Sequence, residues 1–257
     1  MPGAMPDEVV LHTVRGWLHR AKRIVVLTGA GISTESGIPD FRGPQGVWTR
    51  NPLAEKLSDI RYYVVDPEVR KASWQSRLEH PAFTAEPNAG HHALVGLERR
   101  GMLHALITQN IDGLHRRAGH AAGKVIEVHG NLQSAVCLGC AWKGPMLTVL
   151  ERVRRGEEDP ACERCGGVLK SDTISFGQAL VPEVIDRAMQ VAEEADFMLA
   201  VGSTLQVYPV AHAVPIAKSR GARLVIVNAE PTQFDTLADA VLREPIGRVL
   251  PALCAPG

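Results

Sequence analysis

Apolar residues along the chain gather into short, almost unbroken runs, and the stretches between them show helical periodicity. Arg23 to Thr28 (RIVVLT), Leu103 to Thr108 (LHALIT), Lys124 to Val128 (KVIEV), Phe197 to Val201 (FMLAV) and Arg223 to Val227 (RLVIV) each have the length of a strand buried on both faces. Val9 to Arg20 sets Val10, Val14, Trp17 and Leu18 on one helical face; His91 to Arg100, Pro182 to Ala195 and Val210 to Arg220 behave alike. Buried strands alternating with helices predict an α/β fold, a doubly wound, Rossmann-like parallel sheet with its ligands at the carboxyl ends of the strands. Two segments break the rhythm. Residues 44–87 lack a buried-strand run, carry charge and aromatics (Trp48, Tyr62, Tyr63, Trp74), and predict a helical insertion. Residues 131–170 hold four of the five cysteines around one polar helix, Met146 to Arg155.

Composition narrows the classes. With 257 residues and 45% apolar content the chain can build a sizeable core, which excludes global disorder. Lys+Arg and Asp+Glu balance at 28 each, so no whole-molecule field draws nucleic acid or an anionic membrane. No apolar run approaches the ~18–20 residues of a membrane span, and MPGAMPDEVV has neither the basic nor the apolar region of a secretory signal. A cytoplasmic location is expected, with reduced thiols acting as metal ligands or buried groups rather than disulfides.

The cysteines carry the sharpest local signal. Cys137-Leu-Gly-Cys140 and Cys162-Glu-Arg-Cys165 are two C-x2-C knuckles separated by 21 residues. Each knuckle aims two sulfurs at one point, and four thiolates suit one tetrahedral Zn²⁺ with no position left for water, so the ion is expected to be structural. Gly139, Gly166 and Gly167 are expected to supply the positive φ such turns need. Cys254, without a partner, reads as a bystander thiol.

Gly29-Ala30-Gly31 follows a strand, as a dinucleotide turn requires, but Thr34 stands where a third glycine would be. A tight turn with no ligand looks the same. The loop beyond it, Ser36 to Gly43, adds Asp40, Phe41 and Arg42, and polar groups recur wherever a strand ends: Gln109-Asn110-Ile111-Asp112, His129-Gly130-Asn131, Ser203-Thr204 and Asn228-Ala229-Glu230. Each alone is a plausible cap or turn; their common place at one sheet edge points to a ligand crevice. Among ten histidines, His12, His19, His80, His104 and His120 read as surface residues and His91 and His92 as a helix start. His129, between a strand and a glycine, is the candidate general base.

With GAGIS (29–33), GIPDFRG (37–43), TQNIDGLH (108–115), VHG (128–130), the paired knuckles, SFGQ (175–178), GSTLQVYP (202–209) and VNAEPT (227–232) in this order, the chain resembles the sirtuins, NAD-dependent protein-lysine deacylases. The resemblance implies a discontinuous NAD-binding domain (1–43, 88–130 and 171–257) and a small domain made of the helical insertion (44–87) and a zinc ribbon (131–170). It implies His129 as general base, with Asn110 and Asp112 orienting the ribose and carboxamide. Gly29, Ala30, Gly31, Asp40, Phe41, Arg42 and Trp48 would surround NAD, and Gln109, Asn110, Ile111 and Asp112 would meet its nicotinamide half. Gly202, Ser203, Thr204, Asn228 and Glu230 would hold the adenosine half. Ile174, Phe176, Gly177 and Val207 would sandwich an acyl-lysine peptide as an added strand. The implied products are free lysine, nicotinamide and O-acyl-ADP-ribose. Where desuccinylase-like members carry a Tyr-x-x-Arg pair, this chain has Trp74-Gln-Ser-Arg77, which leans toward neutral acyl groups. Mono-ADP-ribosyl transfer, a non-catalytic NAD-sensing zinc module and a hydride-transferring dehydrogenase are the competing readings.

Overall fold

The computed structural model of the chain describes residues 8–40, 46 and 56–256. Among these residues the strands are β1 (Ile24–Thr28), β2 (Leu103–Thr108), β3 (Val125–Glu127), β4 (Gly130–Cys137), β5 (Lys143–Pro145), β6 (Leu169–Thr173), β7 (Phe197–Val201), β8 (Arg223–Val227) and β9 (Ala240–Leu242). The helices are α1 (Glu8–Arg20), α2 (Ile60–Val65), α3 (Pro67–Leu78), α4 (Ala89–Arg99), α5 (Leu114–Ala118), α6 (Met146–Arg154), α7 (Pro182–Glu194), α8 (Ala213–Ser219) and α9 (Ile246–Cys254).

Six strands form one parallel sheet in the order β3-β2-β1-β7-β8-β9. The order reverses between β1 and β7, the switch point where a doubly wound sheet opens a crevice. The register makes all six strands end level. Thr28 pairs with Thr108 and Val201, Thr108 with Glu127, Val201 with Val227, and Val227 with Leu242. Alternation along the strands feeds two cores. Ile24, Val26, Leu106 and Leu199 pack with Val14, Leu18, Leu94, Leu97 and Leu250 on one side. Val25, Leu27, Ile107 and Met198 pack with Ala188, Val214 and Ala217 on the other. The sequence pattern anticipates five of these strands; β9 escapes it, since three residues carry too little periodicity. The helix expected from Val210 begins as a 3₁₀ turn, Val210–His212, before α8.

The second sheet is antiparallel, β5-β4-β6. Its core joins α6 to β4 and β6 through Ala135, Met146, Val149, Leu150, Val153 and Leu169, and Trp74 of α3 is buried in it. The Tyr63 hydroxyl donates to Leu169 O at 2.8 Å, and Arg70 pairs with Asp159 at 2.9 Å. The two segments that interrupt the α/β rhythm therefore pack on each other.

Candidate active site

The switch point is built from glycine on glycine. Gly29 N–H donates to Val201 O, Gly31 N–H to Gly202 O and Gly202 N–H to Val227 O, each at 2.8–2.9 Å. A Cβ at Gly29 would stand 2.7 Å from Gly202 O, and one at Gly31 2.7 Å from Gly202 Cα. Gly202 itself has φ 62°, where a side chain is strained. Part of the demand for glycine thus comes from the two strand ends approaching each other. After Gly29 the chain enters a 3₁₀ helix, Ala30–Ser36, in which Thr34 donates its hydroxyl to Gly31 O.

Polar groups converge just above the level strand ends. Gln109 N–H donates to Thr28 O at 3.0 Å, and its side chain donates to Ser203 Oγ at 2.9 Å, spanning the switch point. Asn110, buried, donates Nδ2 to Gly29 O at 3.1 Å and to Ser33 Oγ at 3.2 Å. Ser33 donates in turn to Asp112 Oδ2 at 2.7 Å, while Asp112 Oδ1 accepts Leu114 N–H at 2.8 Å. Both amide protons of Asn110 are used, so its Oδ1 is what it can offer a ligand. Burial raises the Asp112 carboxyl above its ordinary pKa, against the pull of the Leu114 N–H, the Ser33 hydroxyl and Arg117. Ile111 packs toward Leu114 and Leu132.

His129, half-buried, lies two residues past β3. Its Nδ1 is 3.0 Å from Gln109 O, an acceptor only, so Nδ1 carries the proton and Nε2 is the free lone pair. Burial lowers its pKa, and the bond to Gln109 O opposes this. The imidazole is therefore neutral at pH 7, as a base must be, and two hydrogen bonds through Gln109 link it to the end of β1.

At the far side Asn228 is buried, with its amide on Glu230 O at 2.8 Å. Arg243 clamps the same loop, donating to both Asn228 O and Glu230 O and pairing with Asp235. The Ile174–Gly177 segment continues β6. Ile174 N–H donates to His129 O at 2.8 Å, Phe176 N–H to Ser58 O at 2.9 Å, and Gly177 has φ 77°. Phe176 is 45% exposed, Val207 is half-buried and Thr204 is half-buried beside Ser203. Ala30 and Asp40 are half-buried in and just past the 3₁₀ segment. Phe41, Arg42 and Trp48 lie outside the described residues.

The four knuckle cysteines converge. Cys137 and Cys165 sulfurs are 3.5 Å apart, Cys140 and Cys162 3.8 Å, and all four lie within 4.8 Å of one another. Zn–S bonds of ~2.3 Å in a tetrahedron require sulfurs about 3.8 Å apart, so the donor set fits one Zn²⁺. The expected glycine geometry is corrected at two places. Only Gly166 has positive φ (72°); the other left-handed residue of the knuckles is Ala141 (φ 54°). Gly167 is small because a Cβ would lie 3.1 Å from both Cys137 and Cys165 sulfurs. Cys254 is buried and its pKa is pushed up to about 12 by burial, an unreactive thiol.

Ser33, Gln133, whose amide donates to Asp112 O at 2.8 Å, and Arg243 were not singled out from sequence. Ser33 lies inside the glycine motif and had a signal; Gln133 and Arg243 act across the fold and had none. His120 is corrected too. It is 4% exposed and bonded to Glu98, not a surface residue.

The comparisons with known proteins agree with this arrangement. The model of the Sir2 family matches residues 29–209. The chain is 53% identical over 230 residues to NAD-dependent protein deacetylase 2 of Streptomyces coelicolor, covering 90% of this chain and 95% of that one. It is 45% identical to the NAD-dependent protein deacetylase of Sulfolobus acidocaldarius, covering 88% and 87%. Among solved structures, a Sir2 enzyme with a deacetylated p53 peptide and 3′-O-acetyl-ADP-ribose superposes with a TM-score of 0.87 at 34% identity, covering 97% of each chain. A Sir2 protein bound to a propionylated peptide gives 0.82 at 33% identity, covering 93% and 95%. By fold, by the order of its motifs and by these likenesses, the chain belongs to the Sir2 family.

Proposed function

We propose that the chain is an NAD-dependent protein-lysine deacylase, acting first of all on acetyl-lysine. The observation that carries this reading is His129: its Nδ1 is committed to Gln109 O, its Nε2 is free, and it stands beside the Asn110–Ser33–Asp112 chain at the level strand ends. Named relatives with that activity span nearly the whole chain.

Bound NAD would supply an electrophilic ribose carbon to the acyl oxygen, with nicotinamide as the leaving group. His129 Nε2 accepts a proton from a hydroxyl of the bound co-substrate. Asn110 Oδ1 and the Asp112 carboxylate orient the nicotinamide half, and Gln109 and Ser203 fix the floor beneath it. Gly29, Ala30, Gly31, Asp40, Gly202 and Thr204 form the walls of the crevice. Asn228 and Glu230, clamped by Arg243, take the adenosine half. Cys137, Cys140, Cys162 and Cys165 hold one Zn²⁺, which supplies cross-linking and no chemistry.

The peptide lies as an added strand between Ile174–Gly177 and the loop at Val207. The inward hydrogen bonds of Ile174 and Phe176 support this, since they hold that segment extended. A neutral acyl group is favoured because Arg77, half-buried, is stacked against the Tyr63 and Trp74 rings at 5.6 and 5.3 Å and donates to Ser171 Oγ at 3.0 Å. Residues 44–87 and 131–170 together make the small domain. The protein works in the cytoplasm, a reading supported by five cysteines outside any disulfide; among the described residues no helix is long and apolar enough to cross a membrane.

The test is a panel of acyl-lysine peptides with and without NAD, followed by mass spectrometry and nicotinamide release. Loss of the acyl mass with one nicotinamide per turnover is expected. Addition of ADP-ribose to the peptide would replace this reading with mono-ADP-ribosyl transfer. No nicotinamide release would leave a binding module.

A further inference from the structure

Beneath the crevice the large core contains three buried imidazoles that the proposed reaction does not use. His91, His115 and His120 are 0%, 2% and 4% exposed, and neighbouring rings lie 4.9 and 5.8 Å apart. His91 Nε2, His115 Nδ1 and His120 Nε2 are buried without hydrogen-bond partners. The three do not qualify as a metal cluster; the gathered donor set among the described residues is the four cysteines. Packing alone would be served better by Leu or Phe, because an unpaired buried nitrogen costs free energy that an apolar side chain avoids.

One of the three reaches the site. His115 Nε2 is 3.0 Å from Thr28 Oγ1, at the end of β1. Thr28 donates to Thr108 Oγ1 at 2.9 Å, directly across the ladder at the end of β2. Thr108 Oγ1 also accepts the backbone N–H of Asn110 at 3.1 Å. With the Thr28 proton given to Thr108, Nε2 of His115 must be the donor, and the chain runs one way: imidazole, hydroxyl, hydroxyl, peptide. The peptide at its end joins Gln109, whose carbonyl holds His129, to Asn110, whose amide bridges Gly29 and Ser33.

We propose that His115 is a positioning residue for Asn110 and His129, acting through the Thr28–Thr108 hydroxyl pair. The inference rests on the deacylase reading above. It sets the position of a peptide that carries one candidate catalytic group and anchors another, where displacements well below 1 Å change rate. The ring is buried, so it acts through its neighbours rather than on a ligand. Burial holds the His115 pKa well below its ordinary value, which keeps the ring in the neutral form the chain requires.

Thr28→Val keeps the side-chain shape and removes the hydroxyl. It is expected to lower kcat about tenfold with the KM for acyl peptide unchanged, and Thr28→Ser to restore kcat to within about threefold. His115→Leu should lower kcat by a similar factor, and the Thr28→Val/His115→Leu double variant no further than either alone. Should His115→Leu fail to fold, the Val and Ser variants at position 28 decide. Wild-type kcat in Thr28→Val, a Ser variant as slow as the Val variant, or losses that multiply in the double variant would each overturn the role. A wild-type chain without NAD-dependent deacylation would remove the reaction and this role together; an active wild type with unaffected variants would remove the role alone.

Discussion

In β1 and β7 every residue is buried, and all but Thr28 are apolar; in β4 only Leu132, Ala135 and Cys137 are buried, and β6 buries Lys170, Ser171 and Thr173. The six-stranded body rests on two apolar cores, one on each face of its sheet. The three-stranded sheet has one small core, shared with Trp74, and it keeps a lysine ammonium inside, bonded to Ser171 O and Thr173 O. Burial, and then Arg77, pull that lysine's pKa down to about 8. A region carrying such a cost on a small apolar surface needs another source of stability, and the four thiolates supply it through a metal. The contrast separates what folds the chain from what completes its site, because β6 runs straight into Ile174, which is bonded to His129 O at 2.8 Å.

The sharpest way to break the comparison is to remove the metal. Structural zinc in small modules contributes roughly 10–16 kcal/mol, far more than one small core. Stripping zinc with a strong chelator should melt the three-stranded sheet, abolish deacylation and leave the six-stranded body with a cooperative thermal transition. Cys162→Ser should lose bound zinc and solubility together. Stoichiometric zinc in that variant, or full activity in the metal-free protein, would contradict the four-thiolate assignment.

Removing the base should leave both regions standing. His129→Ala forfeits one hydrogen bond to Gln109 O, worth about 1 kcal/mol to stability, while general-base catalysis is typically worth ~10²–10⁴ in rate. Deacylation should therefore fall by two to four orders of magnitude, with NAD affinity by calorimetry and the melting temperature nearly unchanged. A near-normal rate would show that His129 is not the base. The switch point is more sensitive than its lack of chemistry suggests. Gly202→Ala places a methyl 2.5 Å from Ile32 N at a φ of 62°, so it should cost the body about 3 kcal/mol in urea unfolding and raise the KM for NAD. An unchanged unfolding midpoint would mean that the glycine contact relaxes freely.

Much of this was legible in the residues. Runs of β-branched and apolar side chains give the parallel strands, and the polar residues after them give the crevice, because strand ends in a wound sheet must meet. Knuckle spacing gives the metal. The misses have a common physical cause. The Ala240–Leu242 strand is an edge supported by β8 rather than by its own pattern. Glycine in a knuckle suggests a backbone demand at Gly139 and Gly167, whereas Gly167 answers to the sulfurs packed on it. Ser33, Gln133 and Arg243 work through partners 79, 21 and 13–15 positions away, and no local window contains such pairs. His120 looked exposed because Glu98, which buries with it, is 22 residues upstream.

The two regions also answer acid differently, and the imidazoles of the body provide the smallest and most selective test. Burial draws the pKa of His91 down to about 4 from an ordinary 6.5, with His92 and His120 adding to the shift. Between pH 6.5 and 4 the unfolded chain therefore binds a proton at this position that the folded chain refuses. Stability must fall as pH drops through that window. From pH 7 to 4.5 the shift corresponds to about 2 kcal/mol for His91 alone. His91 also closes a capping box, its Nδ1 accepting Asn88 N–H at 3.3 Å at the third position of α4. Glutamine is the standard occupant of that position and does not titrate. His91→Gln should keep the cap and flatten the acid slope of urea-unfolding free energy by about 2 kcal/mol over this range, whatever its effect at pH 7. The thiolate-held sheet itself contains no imidazole, and His80 of the insertion packed on it, whose pKa burial also draws down to about 4, is untouched by the substitution, so the acid loss of that region, followed by zinc release, should be the same in both proteins. An unaltered slope for the body would mean that His91 is protonated within the fold, and that the cluster beneath the crevice carries charge.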